Sequence, residues 1–125
     1  MSAAATAPAA SDPGAPFVRT ADVRWEDVGP GVRRQILGHG PDLMMVRVEF
    51  ARDAVGAVHH HPHRQVTWVA AGAFAVTMGD EEAVLRPGDC FFAAAGVPHG
   101  VVALEAGTLI DVFTPAREDF LAPRG

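Results

Sequence analysis

The sequence predicts an all-β domain closed as a barrel or sandwich, on three observations. Short apolar runs recur from Phe17 onward between Gly/Pro turns, residues 43–50 alternate apolar and polar with a period of two, and no window between 17 and 114 sustains the 3.6-residue apolar repeat of a helix. A chain of 125 residues makes one domain, and burial of about two-thirds of its unfolded surface suffices without a disulfide or metal. Closure of the sheet is the expected architecture, because it leaves no exposed edge strands.

The elements follow in order. Residues 1–16 (MSAAATAPAASDPGAP) carry almost no large apolar side chain, cannot offset their ordering entropy by burial, and are expected as a disordered tail. They lack the basic n-region and apolar core of a secretory signal. The folded domain is then 17–125. Strands are expected over Arg33–Leu37, Leu43–Phe50, Ala57–His60, Gln65–Ala70, Ala73–Met78, Glu82–Leu85, Cys90–Ala93, Gly100–Leu104 and Gly107–Thr114. Gly38–Pro41, Gly56, Ala71-Gly72, Met78-Gly79-Asp80, Pro87-Gly88-Asp89 and Gly96-Val97-Pro98 supply the turns. In the second strand Met44, Val46, Val48 and Phe50 form the apolar face. Only Ala116–Leu121 has the look of a short helical turn. Cys90 is expected as a small buried side chain, Trp25 and Trp68 as core or interface residues, His39 as a turn residue, and Arg47 with Glu49 as a solvated cross-strand pair.

Composition narrows the chemistry. The net charge is −5 with no basic cluster, which argues against nucleic acid and anionic lipid. No apolar run reaches the ~20 residues of a membrane span. Cys90 is the single cysteine, so an internal disulfide is impossible and a reducing, cytoplasmic compartment is expected. There is no Lys, Tyr or Asn, and the two serines, Ser2 and Ser11, lie in the tail. Schiff-base chemistry, a phosphate-loop lysine, a tyrosine acid and a serine nucleophile within the domain are thereby excluded. Histidine, carboxylates, arginine and two glutamines remain.

Four of the six histidines fall in His59-His60-His61-Pro62-His63. His59 and His61, two apart on an expected strand, project from one face and can reach one cation. Gln65, at the start of the next strand, offers an amide oxygen. His99 follows the tight turn Gly96-Val97-Pro98. His59, His61, Gln65 and His99 together leave one or two positions open in a five- or six-coordinate site. His60 points away from this face, and His63 is expected either beside the site or in the loop.

The stretch GAVHHHPHRQVTWVAAG (56–72) resembles the first cupin motif, and GDCFFAAAGVPH (88–99) resembles the second. The resemblance covers about residues 43–115. It departs at Gln65, where many cupins have Glu, at Ala94, where Pro is usual, and at Ala103, where Asn is frequent. It implies a double-stranded β-helix, the cupin jelly-roll barrel, forming a homodimer and holding one divalent transition metal (Zn, Ni, Fe or Mn) inside the barrel. A neutral Gln in place of Glu leaves the full +2 charge on such a metal, which favours Lewis-acid work on anionic oxygens.

A second resemblance lies in the ending Leu109-Ile110-Asp111-Val112-Phe113-Thr114-Pro115-Ala116-Arg117-Glu118-Asp119-Phe120-Leu121. By period alone Asp111 is either solvent-facing or a pocket acid/base. With His-x-His-Pro-His-x-Gln in the first motif, this ending is similar to the pectin-degradation cupins known as the KdgF family. That resemblance implies active-site roles for Asp111, Phe113 and Arg117: proton shuttle, stacking surface and carboxylate partner. It also implies ring opening of 4,5-unsaturated monouronates to linear keto-deoxyuronates, with an anionic sugar acid as substrate. Two competitors stay open at this point: another metal-dependent cupin enzyme, a non-haem dioxygenase or polyketide cyclase, and a non-enzymatic barrel that binds a sugar acid or metal.

Overall fold

Two antiparallel sheets account for the architecture of residues 11–121, the part of the chain that the computed structural model describes. The strands are β1 (Glu26–Gly29), β2 (Val32–Gly40), β3 (Leu43–Phe50), β4 (Val55–His59), β5 (Arg64–Ala71), β6 (Phe74–Met78), β7 (Glu81–Leu85), β8 (Cys90–Ala93), β9 (His99–Ala103) and β10 (Gly107–Thr114). A helical turn, α1 (Glu118–Leu121), follows. One sheet runs β1-β2-β3-β10-β5-β8 and the other β4-β9-β6-β7. Between them lies the core, and the all-β barrel read from turn spacing is what forms. Among the described residues no helix is long and apolar enough to cross a membrane.

Alternation does the sorting. On β3, Met44, Val46 and Phe50 are buried while Leu43 and Met45 are exposed. On β5, Gln65, Thr67 and Val69 are buried while Val66 and Trp68 are exposed. The last strand, β10, lies between these two, so that Asp111 stands opposite Val46 on one side and Thr67 on the other. Phe113 stands opposite Met44 and Gln65. This register carries the C-terminal signature into the barrel wall. One apolar cluster joins the sheets through Phe50, Val69, Phe74, Val101 and Leu109, with Phe50 and Phe74 edge to face at 5.2 Å. A second, of Ile36, Met44, Val46, Phe113 and Ala116, packs under the C-terminal turn.

Several expectations need correction. β1 carries no apolar alternation in its sequence Glu-Asp-Val-Gly; it is held to β2 by ladder hydrogen bonds and by the Arg34–Glu26 ion pair at 3.1 Å. β2 continues through Gly38 and His39 to Gly40, so His39 is a buried strand residue rather than part of a turn. Cys90 is exposed, since β8 turns Phe91 and Ala93 inward and places Cys90 and Phe92 on the outer face. Trp68, expected in the core or at an interface, lies on the outer face of β5 and is not a core residue. Glu49 takes Arg33 as its cross-strand partner at 2.7 Å, with Arg47, on its own strand, at 3.4 Å. The helix begins at Glu118 rather than Ala116, and the Ala116 N–H donates to the Pro41 carbonyl. Residues 1–10 of the expected tail lie outside the described residues. The remainder is tied down before Phe17: the Gly14 N–H donates to the His39 carbonyl at 2.8 Å, and the Ser11 hydroxyl to that of Leu37.

The β5–β6 and β9–β10 connections cross closely at Gly72, which has φ +81°; a Cβ there would lie 2.6 Å from the Ala106 carbonyl oxygen. Positive φ and lack of space both require glycine. Phe74, fully buried, fills the same end of the core. Phe74→Ala is expected to cost about 3–5 kcal/mol, read as a lower denaturant midpoint at an unchanged slope.

Candidate metal centre

Antiparallel pairing of β4 with β9 sets His59 directly opposite His99. The strands approach closely because Gly100 follows: a Cβ there would lie 2.9 Å from the Val58 backbone nitrogen. His61 arrives differently from the sequence expectation. β4 ends at His59 rather than continuing through His60, and His61 lies in the β4–β5 connection, so chain bending rather than strand parity brings its ring back. One nitrogen from each of His59, His61 and His99 lies within 4.8 Å of the others. His61 and His99 are buried; His59 is exposed.

Each ring is oriented by a carbonyl two residues away. Nδ1 of His59 lies 2.8 Å from Ala57 O, that of His61 2.9 Å from His63 O, and that of His99 2.9 Å from Val97 O. A carbonyl only accepts, so each Nδ1 carries the proton and Nε2 is left as an unprotonated lone pair. Burial holds the pKa of both His61 and His99 below the ordinary histidine value, with Coulombic repulsion from neighbouring cationic groups adding to it. Neutral rings are the ligand-competent state.

Gln65 completes the constellation. Its Oε1 lies 3.0 Å from His61 Nε2 and 3.2 Å from His99 Nε2. Acceptors therefore face acceptors with no hydrogen between them, an arrangement that a cation resolves. The donor set fits a divalent transition metal: imidazole nitrogen with one amide oxygen, all neutral. On its other side Gln65 Nε2 donates to Thr67 Oγ1 at 2.8 Å and to Asp111 Oδ1 at 3.4 Å. Thr67 Oγ1 lies 2.6 Å from the same Oδ1. Burial pushes the Asp111 carboxyl up to about 6, against the downward pull of the Thr67 hydroxyl and the Arg117 charge.

A cavity of about 90 Å³ is bounded by His59, Gln65, His99 and Asp111 on its polar side and by Phe50, Phe91 and Leu109 on its apolar side. The structure thus brings His59, His61, Gln65, His99 and Asp111 together. Phe113 borders this group with its ring 5.8 Å from that of His61. Arg117 sits over Phe113 at 5.1 Å and over Phe120 at 4.2 Å. Its Nε and Nη2 donate to the two oxygens of Asp119 at 3.0 and 2.8 Å. The guanidinium edge expected to grip a substrate carboxylate is thus occupied by Asp119. His60 is exposed, and His63 packs edge-on against His61 at 5.5 Å. Thr67, Asp119 and Phe120 escaped the sequence reading. The inward parity of β5, with Thr67 between Gln65 and Val69, was the signal available for the first.

Comparison with known proteins agrees with this fold. The Cupin domain family model matches residues 46–113. The chain is 48% identical to the pectin degradation protein KdgF of Dickeya dadantii (strain 3937) over 99 residues, covering 78% of this chain and 90% of that protein. It superposes on an RmlC-like cupin from Shewanella frigidimarina with a TM-score of 0.83 at 43% identity, covering 86% of this chain and 96% of that one. KdgF from Halomonas sp. gives a TM-score of 0.81 at 45% identity, with coverage of 83% and 98%.

Elemental analysis of protein purified without metal-affinity steps is expected to find close to one equivalent of Zn, Ni, Fe or Mn. His61→Ala should abolish that content, and His60→Ala, which alters an exposed side chain, should preserve it. Equal metal content in the two variants would contradict the assignment.

Proposed function

The chain belongs to the cupin domain family and, within it, to the KdgF-type cupins; on that premise we propose that it opens 4,5-unsaturated monouronates into linear keto-deoxyuronates. One observation carries the proposal: Asp111, whose carboxyl burial pushes up to about 6, lines the same small cavity as His59, Gln65 and His99. An acid/base group with a pKa near the working pH, beside a cation-binding set, is what this isomerisation requires.

The reaction moves one proton. The anomeric hydroxyl loses its proton as the C1 carbonyl forms and the C1–ring oxygen bond breaks. The departing ring oxygen stays on C5 as an enolate, C4 then takes up a proton, and C5 becomes the ketone. Atoms and electrons balance without an oxidant. A metal held by His59, His61, Gln65 and His99 would supply Lewis-acid stabilisation of the developing anionic oxygen. Asp111 takes the proton from the anomeric hydroxyl and returns it at C4, so one carboxyl performs both transfers. Burial keeps its two protonation states close in free energy. Phe113 is buried in the second core cluster and packs edge-on against His61, so its part is to hold that ring in place. Arg117, immobilised by Asp119 and packed between Phe113 and Phe120, contributes positive charge that favours an anionic substrate and draws the Asp111 pKa down.

Addition of the metal-loaded protein to 4,5-unsaturated galacturonate, or its alginate-derived counterpart, is expected to accelerate loss of the conjugated double bond over the spontaneous rate. Ultraviolet absorbance or proton NMR follows it. Asp111→Asn should keep fold and metal while lowering the rate by about 10²–10⁴, the contribution of a positioned acid/base. An Asp111→Asn variant with the full wild-type rate would remove the carboxyl from the mechanism.

A further inference from the structure

We propose that Thr67 is a positioning residue whose hydroxyl dictates which end of the Gln65 amide faces the histidines and which oxygen of Asp111 is free to move a proton. The second half of this inference rests on the ring-opening reading above; the first half rests on hydrogen-bond geometry alone.

Thr67 is fully buried on β5, two residues after Gln65 and directly opposite Asp111 on β10. A hydroxyl has one hydrogen to give and lone pairs to receive. Oγ1 lies 2.6 Å from Asp111 Oδ1 and 2.8 Å from Gln65 Nε2. The amide N–H therefore donates to the hydroxyl, and the hydroxyl donates to the carboxyl, in one direction along the chain of three residues. Rotating the amide by half a turn would place its carbonyl oxygen against Oγ1. Thr67 would then have to give its one hydrogen to either Gln65 or Asp111, leaving the other buried acceptor unpaired at a cost of about 1–3 kcal/mol. The rotated amide would also aim N–H groups at His61 and His99 Nε2, filling the lone pairs that a cation needs. Committing the hydroxyl hydrogen to Asp111 therefore keeps Oε1, not Nε2, toward the two rings.

The same commitment distinguishes the two oxygens of Asp111. Oδ1 receives the Thr67 hydroxyl at 2.6 Å and the Gln65 amide at 3.4 Å. A carboxyl oxygen that already accepts two donors is the poorer place for a proton, so Oδ2 is the oxygen that takes and returns it. Valine has the shape of threonine and no hydroxyl, which makes Thr67→Val the minimal perturbation. Thr67→Ser restores the hydroxyl alone.

Two readouts on the full chain decide the proposal. The first is zinc affinity, measured with zinc alone against a chromophoric chelator. Thr67→Val is expected to bind zinc about 10–100-fold more weakly, the usual effect of removing a group that orients a metal ligand, and Thr67→Ser to bind within a few-fold of wild type. The second is the split of kinetic constants for unsaturated uronate opening. Thr67→Val should lower kcat with little change in KM, since Thr67 touches Gln65 and Asp111 rather than substrate, and Thr67→Ser should recover it. Wild-type zinc affinity and kcat in Thr67→Val would overturn the proposal. If Thr67→Val does not fold, the Gln65 side-chain amide of zinc-loaded wild type, observed by ¹⁵N NMR, replaces it. Nuclear Overhauser contacts from the Nε2–H₂ protons to Thr67, with none to the His61 and His99 rings, support the orientation, and contacts to those rings with none to Thr67 refute it. A wild type that opens no unsaturated uronate refutes the ring-opening reading, while the zinc affinities still decide the orienting role.

Discussion

The Nδ1–H groups of His59, His61 and His99 each donate to a backbone carbonyl two residues away, and the chemistry of the barrel depends on those three contacts. They leave three Nε2 lone pairs converging with the Gln65 carbonyl oxygen. Four acceptors gathered without a donor repel one another, so the arrangement is stable only when a cation joins it or when the surrounding fold holds it in place. The fold does the second through backbone geometry. Ala57 lies on β4 and Val97 in the turn that leads into β9, and Gly100 permits the approach of those paired strands. The His63 carbonyl is fixed where the chain re-enters β5.

The polar site rests on an apolar floor. Phe50, Val69, Phe74, Val101 and Leu109 close the barrel beneath it, and this is what pushes the Asp111 carboxyl up and the His61 and His99 imidazoles down. Both shifts have the same cause, desolvation of the charged form, and both favour neutral groups at the centre of the barrel. Gln65 in place of a carboxylate continues that tendency, leaving the four candidate ligands without formal charge of their own. Arg117 is buried between Phe113 and Phe120, clamped by Asp119, and acts on Asp111 through its field.

Much of this was legible in the sequence, for identifiable reasons. β3, β8 and β10 carry alternation or turn punctuation strong enough that their observed limits match expectation. The convergence of His59, His61, Gln65 and His99 was legible because two motifs occur in order. The route by which His61 converges was not, since a bend in the β4–β5 connection leaves no periodic trace. β1 was illegible because Glu-Asp-Val-Gly has no apolar face, and its pairing is supplied by β2. Cys90 was misplaced because an apolar neighbourhood in sequence does not say which face of an edge strand is covered. The pairing of Arg117 with Asp119, two residues on, was illegible because sequence alone does not say which way a guanidinium turns.

The central claim is that backbone carbonyls hold all three histidines in the Nδ1–H tautomer before any metal arrives. Histidine side-chain ¹⁵N chemical shifts of the metal-free protein at neutral pH test it directly. The account predicts protonated Nδ1 and unprotonated Nε2 at His59, His61 and His99. Nε2–H tautomers, or rings averaging between the two forms, would contradict it.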